Sequence, residues 1–282
     1  MSDGSSASRS PADAPLIPEG LDATLVLLRH GESEWIVENR FQGQGETPLS
    51  STGRRQAALA GARLADPQAS PVLPVPAGLP LEIVHSPLAR TAETAHAVAR
   101  AIAARGATVP VRPEPGILEI SQGEWEGVHQ DEIARRWPDV LSGWRRTPWA
   151  INAPGGESPT QVQARVRPAL GSVLERLGRD YPRGTLDRPQ VHGYAGVNPQ
   201  AAQPWSILVG HDGVFKVVML TLFGLELTHF WMFTMALTGI TVIEFRGGRP
   251  VVRAANLTEH LAPLLDEAAI AAADRRARSG AL

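Results

Sequence analysis

The sequence predicts an α/β protein built in three layers, α/β/α, around a mostly parallel central sheet. Three apolar runs lead there. Thr24-Leu25-Val26-Leu27-Leu28 ends in Arg29-His30-Gly31. Leu81-Glu82-Ile83-Val84 runs into His85-Ser86-Pro87, with Arg90 close behind. Ser206-Ile207-Leu208-Val209-Gly210 ends in His211-Asp212-Gly213. Runs that are apolar on both faces belong to a parallel sheet covered on both sides. In such sheets ligands bind at the carboxyl ends of the strands. Packing alone does not require three strands to deliver His or Arg to one end, so the pattern points to an anion site. An imidazole placed there can also act as a nucleophile.

Taken in order, the first strand is followed by the loop Gln42–Leu49, whose glycines permit close backbone approach to a ligand. A helix is expected from about Ser51 to Ala65, with Ala57, Leu59, Ala60 and Leu64 available for burial. The prolines of Asp66–Pro80 mark an irregular loop. After the second strand, Ser86 and Pro87 read as the N-cap and first position of a helix running to about Ala104. Arg90 then falls in its first turn, where the helix dipole already favours an anion. Leu118–Gly127 is a loop holding Glu119, Glu124 and Glu126. Gln130–Trp149 reads as two short helical pieces. Trp125, Trp137, Trp144 and Trp149, four of the seven tryptophans, read equally as a lid packed on the core or as a substrate cage. Pro154–Ser158 is a turn into a helix capped by Ser158 with Pro159 first. Asp212-Gly213 open the apolar helix Val214–Phe223, which Gly224 ends. Strands near Thr241–Phe245 and Val251–Ala255 complete the sheet.

With 282 residues, 43% of them hydrophobic, the chain can bury a large core, and one domain with tails is expected. The expected domain spans 21–262. It follows a disordered Ser/Pro/Ala-rich tail at 1–20, carries an irregular loop at about 182–204, and ends in an amphipathic helical tail at 263–282. The tail at 1–20 lacks the apolar stretch of a signal peptide. A net charge of −2 argues against a general nucleic-acid surface. Phe230–Phe245 is apolar but shorter than the roughly 18 residues that suggest a membrane span, and reads as core. There is no cysteine, which removes thiol catalysis and Cys-ligated zinc and fits a cytoplasmic location. The eight histidines contain no His-Glu-x-x-His arrangement, so no metal is expected.

Leu27-Leu28-Arg29-His30-Gly31-Glu32-Ser33, with Asn39-Arg40-Phe41-Gln42-Gly43, resembles the histidine phosphatase superfamily, the phosphoglycerate-mutase-like proteins. Leu118-Glu119 followed by Gly123-Glu124-Trp125-Glu126-Gly127, then Gly156-Glu157-Ser158 and the closing Asn256–Leu261, continue the likeness in the family's order. The resemblance implies a phosphohistidine at His30. It implies that Arg29, Arg90 and His211 surround the phosphoryl oxygens and that Glu119 is the proton donor. Glu124 and Glu126 are then structural, and Glu157 positions catalytic-loop groups by hydrogen bonding. Backbone N–H groups near Gln42-Gly43 and Asp212 are candidate further donors. The resemblance implies no cofactor and a small-molecule phosphate ester as partner; homo-oligomerisation stays open.

Mutases of the family carry a long insertion after the acid and a Thr-Gly-Trp segment. The loop here reads Gln42-Gly43-Gln44, and a short segment joins Glu119 to Gly155, which resembles the phosphatase branch. The expected activity is phosphomonoester hydrolysis, with a mutase-type transferase and a non-catalytic phospho-ligand binder as alternatives. Three positions depart from the family pattern. Ile36 stands where relatives carry an Asn that reaches the phosphate, with Glu38, Asn39 or a backbone group as candidate substitutes. Thr238-Gly239 replaces an Asn-rich turn. His85 replaces a small polar residue, as a pocket wall or as a group behind the reacting ones.

Overall fold

The computed structural model describes residues 15–179 and 203–268. The loop at about 182–204, except residues 203 and 204, and most of the tails at 1–20 and 263–282 therefore lie outside the described residues. Six strands, β1 (Ala23–Arg29), β2 (Ile83–His85), β3 (Val111–Pro113), β4 (Trp205–Gly210), β5 (Ile240–Arg246) and β6 (Arg249–Leu257), form one sheet in the order β3-β2-β4-β1-β5-β6. β3, β2, β4 and β1 are mutually parallel, while β5 and β6 join antiparallel. The sheet is thus mostly parallel, as expected, with an antiparallel edge hairpin.

Alternation along β1 divides the core into two. Val26 and Leu28 pack with Ala60 and Leu64 of helix α2 (Ser51–Ala65) and with Ala95, Val98 and Ile102 of helix α3 (Ala89–Ala103). Helix α1 (Glu34–Val37) is a single exposed turn ahead of them. Leu25 and Leu27 face the opposite layer. There Val162, Val166, Leu170 and Val173 of helix α6 (Pro159–Gly178) meet Val214, Phe215 and Val218 of helix α7 (Asp212–Leu222). Between the layers in sequence come helices α4 (Gln130–Arg136) and α5 (Pro138–Arg146). Their apolar side joins Trp125, Ile133, Leu141 and Ala153 in a separate small cluster. Residues 15–20 of the expected tail are described, and Leu16 and Ile17 lie against the α6/α7 core.

Local chemistry sets the helix starts. Ser50 Oγ accepts from Gly53 N to cap α2, and Ser158 with Gln161 forms a capping box for α6. The expected cap at Ser86 is corrected: α3 begins at Ala89, with Leu88 as its N-cap residue. Ser86 Oγ is engaged by His211 Nε2 at 2.8 Å, and its carbonyl accepts from Thr91 Oγ1, so neither group is free to cap. Phe230–Phe245 is core only in part. Ile240 and Phe245 are fully buried, whereas Trp231 is 45% and Met232 55% exposed. Among the described residues, no helix is long and apolar enough to cross a membrane.

Candidate active site

The carboxyl ends of β1 and β4 lie side by side because Arg29 pairs with Gly210 in the parallel ladder. The next residues, His30 and His211, therefore become neighbours, with ring centroids 5.1 Å apart in an edge-on arrangement. His30 is buried, and its Nδ1 lies 2.6 Å from the carbonyl oxygen of Gly31. A carbonyl only accepts, so Nδ1 carries the proton and Nε2 keeps the lone pair. Burial, reinforced by the nearby Arg90 and Arg29, holds the His30 pKa well below the usual histidine value. Burial together with Arg90, His30, Arg29 and Arg165 does the same to His211. Both rings are neutral at physiological pH.

Two guanidinium groups complete the cradle. Arg29 Nη1 donates to Met235 O at 2.5 Å and stands 4.0 Å from Asp212 Oδ1. Arg90 is fully buried and donates to Gly45 O at 3.0 Å and Gly43 O at 2.7 Å. Burial lowers its pKa to about 10, against the pull of Glu119, Glu46 and Glu126, so it stays cationic at neutral pH. Arg29 Nε, Arg90 Nε and His211 Nδ1 are buried without a hydrogen-bond partner among the described residues. Unpaired buried polar atoms are costly, and an anion held in this cradle would give these three a partner.

A cavity of about 180 Å³ opens from this cradle; Arg29, His30, Gln42, Arg90, Glu119 and Asp212 are among its lining residues. Glu119 binds the start of α7: Oε1 accepts from Ile120 N at 2.9 Å and Val214 N at 2.8 Å, and Oε2 from Gly213 N at 3.1 Å. These donors favour the ionised form. Burial outweighs them and, with Asp212 adding repulsion, raises the Glu119 pKa above the ordinary glutamate value. The geometry thus brings together a neutral imidazole, two cations and a carboxyl group that holds its proton to higher pH than usual. Such a set can bind a phosphoryl group, attack it and protonate a leaving oxygen.

The structure places the remaining sequence-selected residues unequally. Gln42 lines the cavity, and its Oε1 accepts from Ser33 Oγ at 2.8 Å. The polar group it has left is a donor, the amide NH₂. Gly43 acts one step back, through the carbonyl that receives Arg90. A side chain there would collide with Glu126 and Gln122 N. Glu126 Oε1 accepts from Gln44 N, Gln122 N and Ser121 Oγ, tying the two loops together. His85 is not among the cavity-lining residues. Its Nδ1 bonds Ser86 O at 2.7 Å and its ring lies 5.9 Å from that of His96 on α3. Ile36, Glu38 and Asn39 are not among the cavity-lining residues: Glu38 is ion-paired with Arg40 at 2.6 Å, and Asn39 is an exposed residue in the left-handed region. Trp144 lines the cavity, whereas Trp125 is fully buried, so one belongs to the cavity wall and the other to the core.

Arg165 is the main residue that sequence reasoning missed. From α6 it forks onto Glu157, with Nε to Oε1 at 2.8 Å and Nη2 to Oε2 at 2.7 Å. It also donates to the carbonyls of Gly116, Leu118 and Glu119 at 2.8–3.0 Å. Glu157 in turn accepts from Ser121 N and Gln44 Nε2. Burial opposes its charge, but these donors, Arg165 first, hold its pKa below the ordinary value. The available signal was an arginine three residues after Val162, on the apolar stripe of α6. Arg165→Met should cost about 2–3 kcal/mol, since it strands three carbonyls and a carboxylate in a half-buried place. Calorimetry should show a Tm lower by several degrees at roughly 2–4 °C per kcal/mol; an unchanged Tm would mean the clamp does not hold the loop.

Comparison with known proteins assigns the fold to a family. The family model described as histidine phosphatase superfamily (branch 1) matches residues 25–181 and 196–258, well over half of the chain. Phosphoserine phosphatase 1 of Hydrogenobacter thermophilus is 29% identical over 245 residues, covering 86% of this chain and 97% of that protein. Glucosyl-3-phosphoglycerate phosphatase of Mycobacterium tuberculosis is 34% identical over 172 residues, covering 59% of this chain and 67% of that protein. The solved structure of Bacillus stearothermophilus YhfR superposes with a TM-score of 0.65 at 28% identity, covering 85% of this chain and 99% of that one. The chain belongs to the histidine phosphatase superfamily, branch 1.

Proposed function

We propose that this protein is a metal-independent phosphomonoester hydrolase that acts on a small phosphorylated metabolite through a phosphohistidine at His30. The observation that carries the reading is the cradle itself: a neutral imidazole with its Nδ1 proton committed to Gly31 O, surrounded by three unpaired buried donors. Relatives named as phosphatases of phosphoserine and of glucosyl-3-phosphoglycerate support it.

In the first half-reaction His30 Nε2 attacks phosphorus. Arg29, Arg90 and His211 stabilise the charge on the nonbridging oxygens. Ser86 Oγ, donating to His211 Nε2, leaves Nδ1–H of that ring as the donor to a phosphoryl oxygen. Glu119 gives its proton to the departing alkoxide. In the second half-reaction the Glu119 carboxylate takes a proton from water, which attacks the phosphohistidine and releases inorganic phosphate. The test is a rapid acid-free quench with a labelled monoester followed by peptide mapping. Acid-labile phosphate should sit on the peptide containing His30; phosphate on the His211 peptide, or none during turnover, would overturn the reading.

The Glu119 shift sets a pH dependence. The acid form drives the first step, and a raised pKa keeps that form populated above the ordinary glutamic acid range. Single-turnover phosphorylation by an alkyl phosphate, divided by that from nitrophenyl phosphate, should be flat below this pKa and fall about tenfold per pH unit above it. The ratio cancels the ionisation of enzyme groups that act equally on both esters; the second ionisation of each ester is titrated separately and divided out. A ratio already falling from the ordinary glutamate value would show that the proton comes from elsewhere.

A further inference from the structure

The cavity beyond the phosphoryl cradle has its own chemistry. Phe41, Trp144, Trp231 and Phe230 line it and form one continuous run of edge-on rings, with centroids 5.8, 6.0 and 5.1 Å apart in turn. Ile120 and Pro148 extend the apolar wall. Among the described residues, Arg29 and Arg90 are the only Arg or Lys side chains lining the cavity, and both belong to the cradle. The other lining charges are carboxylates, each already engaged. Glu157 is held by Arg165, Asp212 by Lys216 at 2.6 Å, and Glu119 by three backbone N–H groups. Lys216 does not line the cavity. It is buried behind the wall, with Nζ 4.6 Å from the Trp231 ring centroid, and supports that ring as a cation–π partner.

An ester whose alcohol part carries a carboxylate or a second phosphate would set that charge against an apolar aromatic wall and against two carboxylates, Glu157 and Asp212, while Glu119 holds its proton. Among the described residues, no spare cation lines the cavity to offset its desolvation. An uncharged alcohol with an apolar or aromatic face gains instead, at about 25 cal/mol per Å² buried. Resting on the phosphatase reading above, we infer that the substrate is the phosphate monoester of an uncharged alcohol bearing an apolar or aromatic group, with Trp231 and Trp144 as specificity-determining residues. This separates the chain from the acid-bearing phosphoserine in the name of one of its relatives.

The test compares kcat/KM for 2-phenylethyl phosphate, ethyl phosphate, O-phosphoserine and 3-phosphoglycerate, all of which release alkoxides and so draw equally on Glu119. Phenylethyl phosphate should exceed each acid-bearing ester by about tenfold or more, the equivalent of ~1.4 kcal/mol. Trp231→Ala, at a half-exposed position, should cut the phenylethyl-to-ethyl ratio by about tenfold. Trp231→Lys should raise the 3-phosphoglycerate-to-phenylethyl ratio. Faster hydrolysis of 3-phosphoglycerate or phosphoserine, or an unmoved phenylethyl-to-ethyl ratio in Trp231→Ala, overturns the substrate class while leaving the phosphatase reading intact. Hydrolysis of none of the four esters, nor of nitrophenyl phosphate as a fifth, control ester, overturns both.

Discussion

His30→Ala should reduce turnover to background and leave no phosphorylated protein at any quench time. The expected loss is on the order of 10⁶-fold, the size found when a covalent catalyst loses its nucleophile. The structure sharpens the test, because a second imidazole stands 5.1 Å away. If His211 were the nucleophile, the His30→Ala protein would still trap phosphate. His211 is poorly placed to take over, since its Nε2 is occupied by Ser86 Oγ. The variant should still fold, because His30 follows the last residue of β1 and belongs to none of the apolar clusters. Circular dichroism and an unchanged unfolding midpoint within a few degrees establish that. Retained trapping with retained turnover would remove His30 from the mechanism.

The second large effect concerns Glu119. Glu119→Gln should slow His30 phosphorylation by alkyl phosphates about 10²–10⁴-fold, the usual contribution of a positioned acid. It should slow phosphorylation by nitrophenyl phosphate far less, because nitrophenolate leaves without a proton. Single-turnover rates isolate this step from water attack. The substitution is close to isosteric, and the side-chain oxygen it keeps can still accept from Ile120 N and Val214 N, while Gly213 N loses its acceptor. The same change at Glu124, which is not among the cavity-lining residues, should show little dependence on leaving group. Equal slowing of both esters by Glu119→Gln would make the residue an organiser of its loop and not the donor.

Much of the frame was legible because it rests on short-range rules. Residues of β1 and β4 are apolar on both faces since both faces are covered, and each strand ends where a charged or imidazole side chain begins. Ser158, Pro159 and Gln161 announce α6 in four residues. What was not legible depends on which distant group claims a side chain. Ser86 has the chemistry of a cap but is taken by His211, 125 residues away in sequence. His85 follows Ile83 and Val84, which face opposite layers. Alternation puts it on the Ile83 side, toward α3 and His96, but two buried faces look alike in sequence. β3 is three residues long and includes Pro113, too short for a periodic signal. Arg165 lies on the apolar stripe of α6, but the carbonyls of Gly116, Leu118 and Glu119 that it binds come from a loop more than 45 residues earlier in the chain.

The pairing of β1 with β4 also governs when the site comes into being. Its register joins Thr24 to Trp205, so the two imidazoles meet only after a chain loop of more than 170 residues has closed. Contacts of such long sequence separation form late and slowly, because the closure entropy is lost before any packing rewards it. During synthesis the first strand emerges early and waits for its parallel partner, with an unpaired edge exposed in the interval. Recovery of activity on refolding therefore reports the last, global step of assembly, whereas the local contacts between α2 and α3 can form well before it.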